Sequence, residues 1–258
     1  MARTPSISLA FGENLEDNIV KTTGKKERFE NYMTKKSSLL ALLLLVPAPS
    51  IGILAGMVIA PDRVLGKSVF FISKLWILLI PIFWRVVIDR QKLSWSKPIH
   101  GGFGVAAGLG ILISVIILVM YSTAGKILIE PQVVKEMAVR IGLANPYIYL
   151  AGAAYWILVN SALEEYVWRW FVVTQCRVFM PPRTAIIVSA ICFTLHHIIA
   201  MQTYFGWLLV AIASLGIFIG GAIWSWCYLR YQSIWPGYVS HAIVDITVFA
   251  IGYHLIFQ

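Results

Sequence analysis

After its first 37 residues the chain alternates long apolar runs with short polar segments. A membrane span needs about 20 apolar residues at 1.5 Å rise per residue. By that measure 39–60, 69–88, 103–121, 184–200, 206–229 and 237–257 are predicted spans. A further helical pattern starts at Asn145-Pro146 and runs to about Phe179. It exceeds the bilayer thickness, so it is expected to tilt, break or project beyond it. Pro47 and Pro49 predict a kink in the first span. Lys74, placed one turn inside the start of the second, is expected to snorkel. The stretch 132–141 has helical spacing with a polar face and is expected to lie flat at the interface. Gly216, Gly220 and Gly221 allow close helix packing in the sixth span. The predicted architecture is an all-α, multi-pass transmembrane helical bundle of about seven spans around a polar intramembrane cavity.

Composition agrees with lipid as the solvent. The 258 residues are 59% hydrophobic and only 13% charged, with a mean hydropathy of +0.78. A soluble domain usually carries about a quarter charged residues. The length divides into a polar tail over 1–37, amino-terminal spans with an interfacial segment over 38–145, and motif-bearing helices over 146–258. The tail mixes basic and acidic residues and is expected to be mobile or to lie on the membrane surface. The first apolar run is too long for a signal-peptide core. The net charge of +9 does not point to nucleic acid, because Lys and Arg sit in short links between apolar runs. With the amino terminus in the cytoplasm, the inner segments hold fourteen of them and the outer segments five. Lys74 and Arg169 fall inside spans and complete the 21. The amino terminus is therefore expected in the cytoplasm, and the small compact bundle suggests a prokaryotic inner membrane. Cys176, Cys192 and Cys227 are isolated in apolar segments and read as packing residues. Tryptophans such as Trp84, Trp95, Trp207 and Trp235 read as an interfacial belt.

The candidate chemistry lies in the polar residues that survive inside the spans. Glu164, Glu165, Arg169, His196, His197, His241 and Asp245 all do. An ionisable side chain in lipid costs about 2.5–3.5 kcal/mol on insertion scales, so several of them must face one another or a wet cavity. Glu165 and Arg169 are i and i+4 and can pair. Glu164 points about 100° away and is left as the freer carboxylate, a candidate general base. Asn160, one turn earlier, shares its face. Phe193 and His197 are i and i+4, as are His241 and Asp245. His196 neighbours His197 but points elsewhere, as a packing residue would. Carboxylates and imidazoles on three helices suit two chemistries. One is general-base activation of water; the other is a metal site, with Glu164, His197, His241 and Asp245 as candidate ligands. A divalent metal such as zinc is an admissible cofactor, although no HExxH motif supports it.

The set EExxxR (Glu164, Glu165, Arg169), FxxxH (Phe193, His197) and HxxxD (His241, Asp245), in that order on successive apolar helices, resembles the CAAX-protease and bacteriocin-processing (CPBP, or Abi) family of intramembrane proteases. The resemblance covers roughly 146–252. It implies a helical fold around a hydrophilic cavity and hydrolysis of a peptide or lipidated protein substrate at the membrane. It makes Glu164 the base, His197 its neighbour, His241 and Asp245 the groups that hold water or the oxyanion, and Arg169 the support of the glutamates. Two positions depart from the family pattern. Trp170 follows the motif arginine where Gly is frequent, and Asp245 stands where Asn is frequent. An ionised Asp accepts only, whereas Asn can also donate. The alternative is a non-enzymatic membrane protein, serving bacteriocin immunity or regulation, that uses the same cluster for binding. A transporter lacks the inverted repeat that would support it.

Overall fold

The computed structural model describes residues 35–61 and 63–258. Most of the predicted tail, 1–34, lies outside the described residues. Among the described residues there is no strand. Helices α1 (Lys35–Ile59), α2 (Val64–Ile88), α3 (Phe103–Leu128), α6 (Pro182–Gln202), α7 (Trp207–Tyr231) and α8 (Ile234–Phe257) are each long and apolar enough to cross a membrane. Between them lie the short α4 (Pro131–Arg140) and the motif helix α5, which runs without interruption over 146–177. With α5 the bundle has the seven long helices expected of it.

Local sequence explains the element boundaries. Helix α1 is interrupted at Val46, immediately before Pro47, where proline removes a donor and clashes with the preceding turn. Asn145 caps α5 by accepting from the amides of Tyr147 (2.9 Å) and Ile148 (3.3 Å), and Pro146 sits in the first turn. Ser233 caps α8 by accepting from the Trp235 amide. The link 89–102 is extended and is tied to the start of α8. There the Ser233 hydroxyl donates to Ser96 O (2.6 Å) and the Ile234 amide donates to Ser96 Oγ (2.9 Å). Helix α4 is amphipathic as predicted; it buries Val134 and Ala138 and packs against α8.

Two helix pairs dominate the packing, α6 with α7 and α3 with α8. Small residues allow both approaches. A Cβ on Gly221 would come within 3.1 Å of Phe193 on α6, and one on Gly110 within 2.8 Å of Ser240 O on α8. Gly216 and Gly220 make no such inter-helix approach, so of the three glycines read as packing residues only Gly221 acts as one. Helix α5 packs against α6, α7 and α8, which surround its motif segment. The core consists of residues from α1, α2, α5, α6, α7 and α8. It includes Trp84, which is 4% exposed rather than a belt residue. Trp95 and Trp207 are exposed, as an interfacial belt requires.

Candidate active site

The motif residues converge from three helices. Helix α5 supplies Glu164, Glu165 and Arg169; α6 supplies His196 and His197; α8 supplies His241 and Asp245. Along α5 the backbone widens into π-type turns over Trp156–Asn160 and Glu165–Val173. Such turns recur at functional sites because they re-aim side chains. Across the widened turn Ser161 Oγ lies 3.0 Å from the Trp156 carbonyl five residues back.

The two adjacent glutamates have different surroundings. Glu165 is fully buried, with Oε1 3.3 Å from Arg169 Nε, and Arg169 is fully buried too. The guanidinium lies over the rings of Phe193 (4.5 Å) and Trp224 (5.1 Å), so aromatic faces meet the charge that the carboxylate leaves. Glu164 keeps 19% of its side chain exposed. Its Oε1 accepts from Asn160 Nδ2 at 2.9 Å, so Asn160 orients the carboxylate itself.

His241 joins the two. Its Nδ1 faces Glu165 Oε1 at 3.1 Å, while its Nε2 lies 3.6 Å from Glu164 Oε2 and 3.8 Å from Asp245 Oδ1. The ring stacks on Trp224 at 3.8 Å between centroids, and Trp224 Nε1 donates to Ser240 Oγ (3.1 Å). That stack fixes the imidazole plane. Asp245 Oδ2 accepts from Ser161 Oγ at 2.6 Å. His197 Nδ1 sits 2.9 Å from the Phe193 carbonyl, which assigns the proton to Nδ1 and leaves Nε2 as a free base or ligand.

His196 is closer to the chemistry than its helical position suggested. Its ring stacks on Trp168 (5.3 Å, 8°), and its centroid is 4.1 Å from that of His197. Glu164, His196 and His197 each offer one ligand atom within 4.8 Å of the others. Among the described residues this is the set that could hold a divalent cation; it brings in His196, and of the expected ligands it keeps Glu164 and His197 but not His241 or Asp245. Trp170 stacks on Tyr166 (4.9 Å) and lies under Arg85 (5.6 Å). It lines a separate cavity of about 80 Å³ with Arg85, Asp89, Thr174, Gln175 and Tyr228, so it does not wall the cluster.

Three contributors escaped the sequence. Trp224 and Ser161 carry no motif, and Gly237 matters only through space. A Cβ on Gly237 would come within 2.6 Å of Glu165 Oε2. A faint signal existed for two of them: Ser161 precedes Glu164 by three residues, and Gly237 precedes His241 by four.

No curated protein and no solved structure gives a significant match to the chain. Residues 145–247 match the sequence model of a family described as Type II CAAX prenyl endopeptidase Rce1-like, and that segment contains every motif residue described above. The chain is an integral membrane protein whose motif-bearing segment, residues 145–247, is similar to the Type II CAAX prenyl endopeptidase Rce1-like family.

Proposed function

We propose that the protein is an intramembrane endopeptidase that hydrolyses a peptide bond in a membrane-associated or lipidated substrate. The observation that supports this reading best is the division between the glutamates. One is fully buried between Arg169 and His241, and the other opens into the cluster. In this reading a water sits between Glu164 and His197 Nε2. Glu164 takes a proton from it as the oxygen attacks the scissile carbonyl. The new C–O bond forms, the carbonyl π pair moves to oxygen, and the Nε2–H of a doubly protonated His241, whose Nδ1–H is directed at Glu165, faces the resulting oxyanion. The C–N bond then breaks, and Glu164 returns its proton to the departing amine. Glu165 and Arg169 position His241 from behind.

A metal reading has one observation in its favour, the Glu164, His196 and His197 cluster. Water activation by a bound divalent cation such as zinc would use the same carboxylate. We favour the metal-free route, in which Glu164, oriented by Asn160 at 2.9 Å, acts on the water directly. We also propose a cytoplasmic amino terminus, on the bias of Lys and Arg toward alternate segments.

The test uses purified protein with membrane-tethered and prenylated peptides. Wild type is expected to cleave, and Glu164→Gln to lose activity by about a hundredfold or more while remaining folded. A chelator titration is expected to leave the rate unchanged; loss with chelator, restored by one metal, selects the metal route. Undiminished cleavage by Glu164→Gln, or none by folded wild type, overturns the proposal.

A further inference from the structure

A second polar cavity lies apart from the motif cluster, where the last turns of α2, α5 and α7 meet. It has a volume of about 80 Å³ and is lined by Arg85, Asp89, Trp170, Thr174, Gln175 and Tyr228. Gln175 stands about 15 Å beyond Glu165 along α5, so the two sites are distinct. Asp89 directly follows α2, and Gln175 and Tyr228 fall in the final turns of α5 and α7. The ends of membrane spans lie at headgroup depth. Trp235 Nε1, at the start of α8, donates to the carbonyl of the exposed Trp95 at 2.9 Å, and this aromatic pair marks the interface at the same end.

The polar groups around this cavity lack partners. Gln175 is 1% exposed, and its Oε1 accepts no hydrogen bond among the described residues. Asp89 is 4% exposed, and its carboxylate has neither a hydrogen bond nor an ion pair within 4.0 Å among the described residues. Thr174 Oγ1 donates to Trp170 O at 2.6 Å, so in its 3.2 Å contact with Tyr228 the tyrosine hydroxyl is the donor. The phenol oxygen keeps its lone pairs. Three acceptors therefore face the space, together with one cation. Arg85 donates through Nε to the Lys92 carbonyl at 3.5 Å, and its guanidinium lies 5.6 Å from the Trp170 ring. Its terminal nitrogens have no hydrogen-bond partner among the described residues. A buried polar group left unpaired costs about 1–3 kcal/mol, so a set of them around one cavity calls for an occupant.

That occupant must bring N–H donors for Asp89, Gln175 and Tyr228 and an anionic oxygen for Arg85. A phosphate–ammonium zwitterion meets both demands. We propose that the cavity binds the headgroup of an aminophospholipid, with its ammonium on Asp89 and Gln175 and its phosphate on Arg85. Burial fits this orientation. Asp89 and Gln175 are buried and Arg85 is partly exposed, so the ammonium enters while the phosphate stays toward the bilayer surface. A primary ammonium carries three N–H donors and a trimethylammonium none, which favours ethanolamine over choline. The face of Trp170 adds attraction for the cation. Trp170 also makes the site a feature of this chain, because Gly is frequent at that position in the family that the motifs resemble.

The test is lipid titration of the delipidated full-length protein in detergent, read by native mass spectrometry. The lipids share their acyl chains: phosphatidylethanolamine, its N-methyl and N,N-dimethyl forms, and phosphatidylcholine. Wild type is expected to bind the ethanolamine lipid about tenfold or more tighter than the choline lipid, with affinity falling at each methylation. Arg85→Gln weakens the ethanolamine lipid about tenfold, and Asp89→Asn erases its advantage over choline. The methylation series uses wild type alone, so it decides the matter even if a variant fails to fold. Soluble glycerophosphoethanolamine is added as a competitor and is expected to displace the lipid only in large excess. Displacement at concentrations near the lipid Kd gives the zwitterion a soluble source and overturns the lipid assignment. Equal affinity along the methylation series, or an ethanolamine preference that persists in both folded variants, overturns the site. Retention of no lipid makes the cavity a water pocket and overturns it too. Binding is read without cleavage, so the outcome is independent of the endopeptidase reading.

Discussion

Glu165→Gln separates the structural glutamate from the chemical one. Glu165 and Arg169 have no exposed side-chain surface and approach to 3.3 Å. The amide keeps the shape of the carboxylate but removes its charge. It leaves a guanidinium enclosed by Phe193 and Trp224 with no counter-ion in contact. Breaking one partner of a buried pair costs about 3–5 kcal/mol. For a chain of this size 1 kcal/mol moves Tm by about 2–4 °C, so Tm falls by roughly 6–20 °C. Glu164→Gln, at a partly exposed carboxylate with no buried cation against it, shifts Tm by no more than about 2 °C. The double variant Glu165→Gln/Arg169→Met removes the orphaned charge and regains most of the lost stability, since replacing both members of a buried pair is often near neutral. It does not regain cleavage, because the carboxylate facing His241 Nδ1 at 3.1 Å is gone. Intrinsic tryptophan fluorescence during heating in detergent gives Tm, and peptide cleavage gives activity. A Glu165→Gln protein with wild-type Tm, or a double variant no more stable than the single, refutes the assignment of Glu165 as counter-ion to Arg169.

Gly237→Ala tests the same carboxylate through space alone. The added methyl meets Glu165 Oε2 at 2.6 Å, so the carboxylate must move away from its partners. Loss of a charge-assisted contact is worth about 1.5–3 kcal/mol, which lowers kcat/KM by about 10- to 100-fold; an unchanged value refutes the tight fit. Asp89→Asn tests the link after α2. Burial pushes the Asp89 carboxyl above its usual range, against the opposing pull of Arg85. A carboxyl raised in the folded state destabilises it fully above the folded value, and the penalty fades as pH falls through that value toward the unfolded one. Asp89→Asn is therefore expected to raise Tm at neutral pH and to lose that advantage in acid. Thermal unfolding across pH 4 to 8 checks this, and a gain that grows in acid refutes it.

The reaction centre was legible because charge is scarce in these helices. Glu165 with Arg169 and His241 with Asp245 are i, i+4 pairs, a relation that sequence spacing gives directly. What spacing does not give is which helix faces which. Trp224 stacks on His241 only because α7 and α8 cross there, and Gly237 matters only because α5 passes against it. His196 was set aside because its Cα direction diverges from that of His197, but side-chain rotation brings the two rings to 4.1 Å. Lys74 was placed near a span end because the apolar run begins at Val69. The helix begins five residues earlier, at Val64, since Lys67 and Ser68 are compatible with a helical backbone even though they end an apolar run.

In the proposed reaction, Asp245 in place of Asn changes how the developing oxyanion is met. Its Oδ2 already accepts from Ser161 at 2.6 Å, and its Oδ1 faces His241 Nε2 at 3.8 Å. An ionised carboxylate has no proton to donate, so Asp245 does not itself stabilise an oxyanion. It bears on that charge through His241, whose other nitrogen is directed at Glu165 and whose ring is clamped by Trp224. Every contact of His241 thus orients one imidazole toward the space above Glu164. Oxyanion stabilisation depends on donors that are fixed before the charge appears. In the proposed reaction a doubly protonated His241, held between Glu165 and Trp224, meets that requirement. Ser161 ties Asp245, and with it α8, back to α5 one turn before Glu164.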